Sequence, residues 1–414
     1  MSRNMAYGVT IKSIDNIEGK DRIGYIHFNE NGYGVIGQKT LNVGDKVVYV
    51  EVDSILPIEE KFEFLRKRCY KESINGFLIK AMKMNGLYSN GIIFTKEDLG
   101  LDDIKIGKDY TSILNIRKYE LEDDASPNDK KENKVRKAIR QFMMKHSCLR
   151  WLGKKLFYKV GQKGEFPTEF ISKSDEDNIQ NNPAWFDKYK NDDCYITYKI
   201  EGQSVTLIYN FKKKKFEIYG RNSLGREEHY EYFKTLDIEK KMKSFCKQYN
   251  INVLAIQGEY CSSKVQSGVM QNGTHFYVFK ITQDSVQQNM TTMKSYCELL
   301  GLDTVPFIPV DFKVPFKFGL WFNDINDMQE LSEHLWYKIG TYPLEFYDDR
   351  ITKEDNQSSR MISCIPCGIP FEKKSDIPEK KNSVYHRNEG LVFRAFDQSW
   401  SFKVKSNNYQ IEGL

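Results

Sequence analysis

Cys194-Tyr195-Ile196-Thr197-Tyr198-Lys199-Ile200-Glu201-Gly202 is an apolar, β-branched and aromatic run that delivers a lysine to a Glu-Gly turn. The run reads as a strand with Lys199 at its end. Alone, a Lys-x-Glu-Gly is a weak signal, because most such lysines are surface residues where a strand stops. Four further segments follow in order: Tyr219-Gly220-Arg221-Asn222, Gln257-Gly258-Glu259, Glu389-Gly390-Leu391-Val392-Phe393-Arg394 and Ser401-Phe402-Lys403-Val404-Lys405. Lys403 and Lys405 alternate around Val404, so the pleat puts both ammonium groups on one face. Glu259 and Glu389 each adjoin a glycine at an apparent strand edge, where carboxylates can hold a divalent metal or ribose hydroxyls. Taken singly, each carboxylate fits a solvated turn equally well. The joint pattern is what carries information.

Together the five segments resemble the motif series of the covalent nucleotidyltransferases: DNA ligases, RNA ligases and mRNA capping enzymes. The resemblance implies that Lys199 attacks the α-phosphorus of a nucleoside triphosphate and expels pyrophosphate. Such a transfer needs an in-line nucleophile and dense positive charge around the oxygens. A lysine is nucleophilic only when neutral, so its pKa must fall through desolvation or nearby cations. Lys403 and Lys405 fit that need. The implied catalytic residues are therefore Lys199, Lys403 and Lys405. Tyr198, Glu201, Gly202, Arg221, Glu259, Phe279, Lys280 and Glu389 are the implied nucleotide contacts. Glu201, Glu259 and Glu389 are the implied metal carboxylates, with ATP and Mg²⁺ or Mn²⁺ as cofactors.

Within that group the chain is most similar to ATP-dependent RNA ligases. Phe276-Tyr277-Val278-Phe279-Lys280-Ile281 looks like the motif whose aromatic stacks on adenine, which makes Phe279 the base platform; the same strand also fits a plain core. Glu201 stands where many relatives have Asp. Arg221 matches the arginine expected at the ribose and the nucleic-acid end. Phe166 to Asn178 resembles the segment that precedes the nucleophile. Only nine residues follow Lys405, which leaves no room for the C-terminal OB domain of DNA ligases and capping enzymes. The small barrel lies first instead, an order that resembles the Deinococcus/Naegleria-type RNA ligases. Glu51-Val-Asp-Ser-Ile-Leu-Pro57 and Phe62-Glu-Phe-Leu-Arg-Lys-Arg68 are similar to their N-terminal domain. The resemblance implies a three-step ligase. AMP passes from ATP to Lys199, then to a 5′-phosphate, and a 3′-hydroxyl displaces it, with nicked duplexes carrying RNA on the 3′-hydroxyl side as partners. A GTP-dependent capping guanylyltransferase shares the same lysine chemistry. A non-catalytic nucleic-acid-binding protein is the third reading, and the intact motif charges argue against it.

The chain has 414 residues, enough for two or three domains, and a net charge of only +5. No apolar run reaches membrane-spanning length, and Met1-Ser2-Arg3-Asn4-Met5 lacks a secretory core. Eight scattered cysteines suit a reducing compartment, so an intracellular monomer, cytoplasmic or nuclear, is expected. Cys364-Ile-Pro-Cys367 has no partner pair for zinc and reads as a loop with two thiols.

An α+β chain is expected, with an OB-like barrel over 1–112, a basic connector over 113–165 and an adenylyltransferase domain with antiparallel sheets over 166–414. Five strands mark the barrel: Tyr25–Phe28, Tyr33–Ile36, Lys46–Val52, Phe77–Met82 and Gly91–Phe94, with a helix over Glu59–Cys69. That barrel could bind oligonucleotides or be purely structural. From Lys130 to Val160 there are eleven Lys/Arg against Glu132 alone, interleaved with Trp151, Phe157 and Tyr158. Phosphate contact there weighs evenly against a solvated face. Lys212 to Lys215 reads as a hairpin tip. Further on, helices are expected over Tyr230–Tyr249, Val286–Leu300 and Asp324–Ile339, and an irregular loop over Cys364–Asn382.

Overall fold

The computed structural model describes residues 4–119, 166–173, 176–221, 224–262, 273–308, 315–356, 368–382 and 384–412. They fall into two compact units. Met1–Tyr119, Glu176–Ile200 and Pro306–Leu414 form one; Glu120–Asp175 and Glu201–Val305 form the other. Expectations on Lys130–Val160 and on Cys364–Cys367 lie outside the described residues.

In the first unit, Ala6–Ile17 pairs antiparallel with both Lys20–Phe28 and Lys46–Glu51. Gly34–Gln38 and Gly91–Phe94 complete the sheet at its two edges. The Asn90 N–H donates to the Gly34 carbonyl at 3.0 Å and draws those edges together. Lys46–Glu51 is buried on both faces: Val47 and Tyr49 enter one apolar cluster, Val48 and Val50 another. That double burial is why its sequence is a continuous apolar run and not an alternation. All five expected strands are present. Phe77–Met82 is divided, into Gly76–Leu78 and a hairpin strand Met82–Met84. Glu59–Cys69 is a 3₁₀ turn over Glu60–Leu65 followed by one α-turn, Arg66–Cys69. The longest strand, Ala6–Ile17, was not expected. An irregularity between Ile11 and Ser13 breaks its alternation, and bulges of this kind erase the period-2 signal.

The same unit holds a five-stranded sheet in the order Asp177–Asn178, Ser401–Lys405, Gly390–Ala395, Cys194–Tyr198 and Phe307–Ile308. One face is apolar: Ile196, Leu391, Phe393, Phe402 and Val404 are all fully buried, and the Phe393 and Phe402 rings stack at 5.1 Å. A further sheet joins Leu335–Lys338, Phe346–Thr352, Ile369–Phe371 and Tyr385–Arg387. It corrects the helix expected over Asp324–Ile339. That helix runs only over Ile325–Glu333, capped by the Asp324 carboxylate. Leu335-Trp336-Tyr337 then pairs on both sides, with Trp336 fully buried; β-forming residues with two strand partners outweigh the helical spacing.

In the second unit, Lys215–Tyr219, Gln203–Asn210, Val253–Ser262 and Thr274–Gln283 form an antiparallel sheet. The Lys212–Lys215 stretch is its exposed hairpin tip, with Lys214 at φ 51°. Glu227–Thr235 and Ile238–Gln248 replace the single expected helix, broken where Asp237 adopts φ 54°. Ile238, Met242, Phe245 and Cys246 form the buried stripe of the second helix. Met290–Leu300 is shorter than expected because Val286–Gln287 closes a hairpin instead. No helix among the described residues is long and apolar enough to cross a membrane.

Candidate active site

Strand pairing delivers the first unit's charged residues to one face. Tyr195 lies opposite Arg394 and Thr197 opposite Val392, while Val392 also pairs with Lys403 and Gly390 with Lys405. Directly opposed residues share a face, so Thr197, Arg394, Lys403 and Lys405 point together, away from the apolar side. Lys199 follows the strand end, its N–H donating to the Gly390 carbonyl at 2.9 Å. Its Nζ lies 2.5 Å from Oε2 of Glu389. Burial pushes the Glu389 carboxyl up, but Lys199, Lys405 and Lys403 together outweigh it and hold the group below its ordinary range. Glu389 is thus ionised and serves as the shared counter-charge of all three lysines expected to be catalytic.

Gly390 makes this possible. It sits at φ 149°, and a Cβ there would lie 2.1 Å from the Val404 carbonyl oxygen. Only glycine lets the two strands close behind the charges. Asn388, fully buried, donates its side-chain N–H to the Gly390 carbonyl at 2.5 Å. Sequence reading assigned no role to several other supports. Glu176 pairs with Arg394 at 2.7 Å, and Arg394 donates to Thr197 Oγ1 at 3.2 Å. Glu333 accepts the N–H groups of Asn407 and Asn408 at 2.6 and 2.7 Å, and Gln329 donates to the Lys405 carbonyl. These groups fix the end of the lysine strand. Nothing local in the sequence marks them, because each is brought in from a distant segment. Tyr198 is the exception among the expected contacts in this unit. It lies opposite the buried Leu391, and its ring stacks on Phe346 at 3.6 Å, one pleat away from the lysine face.

The second unit gathers Glu201, Gly202 and Glu259. A Cβ on Gly202 would lie 2.9 Å from Cγ of Glu259 and 2.7 Å from the Tyr260 carbonyl oxygen. Burial, then the charges of Glu259 and Glu201, drive the neighbouring Cys261 thiol well up; both carboxylates therefore bear on one spot. Phe279 is the extra residue of a β-bulge, since Gln257 pairs with Lys280 and Gly258 with Val278. Bulges re-aim side chains. Lys280 Nζ contacts Ser172 Oγ at 2.5 Å, and Thr282 donates to the Phe170 carbonyl, so the Phe166–Lys173 segment lies along this strand. Arg221 is exposed just past the end of Lys215–Tyr219. Among the described residues no group of three or more His, Cys, Asp or Glu side chains could hold a metal ion. Mg²⁺ commonly takes one or two carboxylates plus substrate phosphates, and Glu201 with Glu259 supply such a pair.

An OB-fold domain family matches residues 8–96. No curated protein matches the chain in sequence. Among solved structures, the Naegleria gruberi RNA ligase with PPi is similar over 99% of this chain and 98% of that one, with a TM-score of 0.67 and 21% identity. A variant of that ligase with AMP and Mn gives 0.68 and 21%, and another with ATP and Mn gives 0.69 and 21%, each at the same coverage. An OB-fold domain followed by the lysine-bearing sheets, matched end to end, gives this chain the fold of the Naegleria gruberi RNA ligase.

Proposed function

We propose that the chain is an ATP-dependent RNA ligase. The observation that carries this reading is Lys199 paired with Glu389 at 2.5 Å, beside Lys403 and Lys405, in a fold shared with an RNA ligase solved with ATP, AMP and PPi. In the first step a bond forms between Lys199 Nζ and the α-phosphorus while the α–β P–O bond breaks and pyrophosphate leaves. Lys403 and Lys405 neutralise charge as it develops on the phosphoryl oxygens. Phe279 stacks on the base, Arg221, Lys280 and Gly202 contact the nucleotide, and the lack of a side chain on Gly202 leaves room for the Glu259 side chain beside it. Glu201 and Glu259 would hold a divalent cation, Mg²⁺ or Mn²⁺, which supplies positive charge at the phosphates. AMP then passes to a 5′-phosphate, and a 3′-hydroxyl displaces it to seal a nick with RNA on the 3′-hydroxyl side. The barrel within 1–112 and the basic stretch after it grip the duplex.

The test is incubation with ATP or GTP labelled at the α-phosphate, followed by nicks with RNA or DNA on each side. A covalent AMP adduct absent from Lys199→Ala, and sealing that needs RNA on the 3′-hydroxyl side, are the expected results. A GMP adduct would instead indicate capping chemistry, and no adduct with either nucleotide would leave only a binding role.

A further inference from the structure

The helical side of the second unit gathers positive charge at one corner. Ile208 packs with Phe166 and Tyr219 on the sheet face covered by the Phe166–Lys173 segment, the face on which Lys280 meets Ser172. Tyr209, the next residue, therefore turns to the opposite face. There it meets the helix Ile238–Gln248: burial, then Cys246 and Glu239, raise its hydroxyl pKa. The helix flank carrying Glu239 thus adjoins the strand Gln203–Asn210. Lys243 and Lys247 follow Glu239 at four-residue steps along that flank. Lys241 lies on the other flank, where a Cβ on Gly301 would be 3.2 Å from its Nζ. The strand runs on into the tip Phe211–Lys215. The Phe211 N–H donates to the Asn252 carbonyl at 2.7 Å, and the Lys213 N–H to Asn210 Oδ1 at 3.0 Å. Lys215 is paired with Glu217 at 2.8 Å. Lys212, Lys213, Lys214, Lys243 and Lys247 are all exposed and make no ion pair among the described residues. Clustered like charges of this kind favour a polyanion as partner.

An aromatic shelf stands beside them. Tyr249 closes the helix and is 42% exposed. Its ring rests against Phe245 at 4.6 Å and lies within 27° of parallel to Tyr296 at 6.5 Å. Tyr296 is held in turn by its hydroxyl, which donates to Gln283 Oε1 at 2.7 Å. Three residue steps join Tyr249 to Asn252, so the ring's backbone lies within about 11 Å of the residue that anchors the tip. Lysines alone fit a solvated face. Unpaired lysines around a braced, open aromatic ring fit single-stranded nucleic acid, whose phosphates meet the cations while its bases stack on the ring.

We propose that the corner formed by Lys212, Lys213, Lys214, Lys243, Lys247 and Tyr249 binds single-stranded nucleic acid, with phosphates on the lysines and a base on Tyr249. The corner faces away from Lys280 and the Phe166–Lys173 segment, so it is separate from the expected nucleotide contacts and does not depend on the ligase reading. Recognition there is tolerant of sequence, since every base has a face to stack. Bases inside a duplex are already stacked on one another, so a duplex can use the lysines and not the ring.

The test is fluorescence anisotropy on the full chain without ATP. The probes are a labelled oligouridylate of about 12 nucleotides, within the usual span of a single-strand site, a blunt RNA duplex of the same length, and phosphatidylserine vesicles. The combined variant Lys212→Ala, Lys213→Ala, Lys214→Ala is expected to weaken oligouridylate binding about tenfold or more and to reduce the salt slope by about two. Tyr249→Ala is expected to weaken it about fivefold or more with the salt slope unchanged, to leave the duplex alone, and to be rescued by Tyr249→Phe. Adduct formation with labelled ATP should be the same in all of these variants and in the wild type, which also shows that they are folded. Wild-type affinity for oligouridylate in the lysine variant or in Tyr249→Ala overturns the proposal. So does a Tyr249→Phe variant as weak as Tyr249→Ala, or a loss confined to the vesicles, which would make the corner a membrane contact. Expected oligouridylate responses in a chain that forms no adduct would sink the ligase reading and leave this one standing; an adduct with unchanged affinities would do the reverse.

Discussion

Lys403 and Lys405 differ in what surrounds them, and their substitutions should differ accordingly. Lys403 is buried between Asn178 and Val392, whereas Lys405 sits at the strand end beside Asp53. Lys403→Ala is expected to lower the rate of adduct formation about 10² to 10³-fold and also the thermal midpoint. Lys405→Ala is expected to lower the rate by a similar order with little change in midpoint. Rapid-quench adduct formation at saturating ATP, with calorimetric melting alongside, checks both; wild-type rates in either variant would make that lysine structural. At this scale the sequence was informative. The alternation of Lys403, Val404 and Lys405 predicted one shared face, and the pairing shows it. Tyr198 shows the limit. A pleat turns successive residues to opposite faces, so a residue next to Lys199 in sequence packs on Phe346 instead. The Glu389 pairing with Lys199 was also invisible, because it joins residues far apart in the chain.

Single elements were legible where their pattern was regular and obscure where it broke. The strands around Lys199, Glu259, Phe279 and Lys403 were all expected, because each combines β-formers with short polar ends. The bulge at Phe279 was not, since a bulge leaves no mark on composition. It has a consequence for function. Phe279→Ala is expected to raise the KM for ATP about tenfold or more, the order of one base-aromatic stack, with a smaller effect on kcat. Loss of stability with an unchanged KM would return the ring to the core. The sheet containing Leu335–Lys338 was missed altogether, and one of its contacts makes it sensitive to pH. His334 Nδ1 meets Asp349 Oδ1 at 2.6 Å. The hydrogen bond to Asp349 raises the imidazole pKa, burial opposes it, and the Asp349 charge adds to the rise. A raised folded-state pKa means that the stabilisation is fully present below the ordinary value of 6.5 and is lost as pH rises through the folded value. The wild-type midpoint is therefore expected to fall across that interval, and His334→Gln to flatten the profile. Parallel profiles would show that the pair contributes nothing measurable.

For the whole molecule, the sequence suggested a barrel separable from the chemistry. Within the first unit the barrel is hydrogen-bonded to the segment that borders the lysine strand: Gly32 N–H to the Gln180 carbonyl at 2.7 Å, and Tyr33 Oη to Asn181 Oδ1 at 2.6 Å. No composition signal encodes such docking, since Asn178 to Asn181 reads as an ordinary polar turn. A chain starting at Asp129 and shown by circular dichroism to be folded is expected to keep adduct formation. It should seal nicks at least tenfold more slowly, with residual sealing that falls steeply with salt. Undiminished sealing would remove the barrel from duplex binding, and loss of the adduct would place it in the nucleotide site. The close pairing of Lys199 with Glu389 sets a further condition on the reaction proposed for this site. A protonated lysine carries three hydrogens on nitrogen, and a lysine bonded to phosphorus through a neutral nitrogen keeps one. Two protons must therefore leave Nζ during the first step, and Glu389, already an ionised neighbour, is the nearest acceptor on this face. Unless the departing pyrophosphate takes up both, the proposed step would acidify its surroundings, and an alkaline medium is expected to favour the adduct.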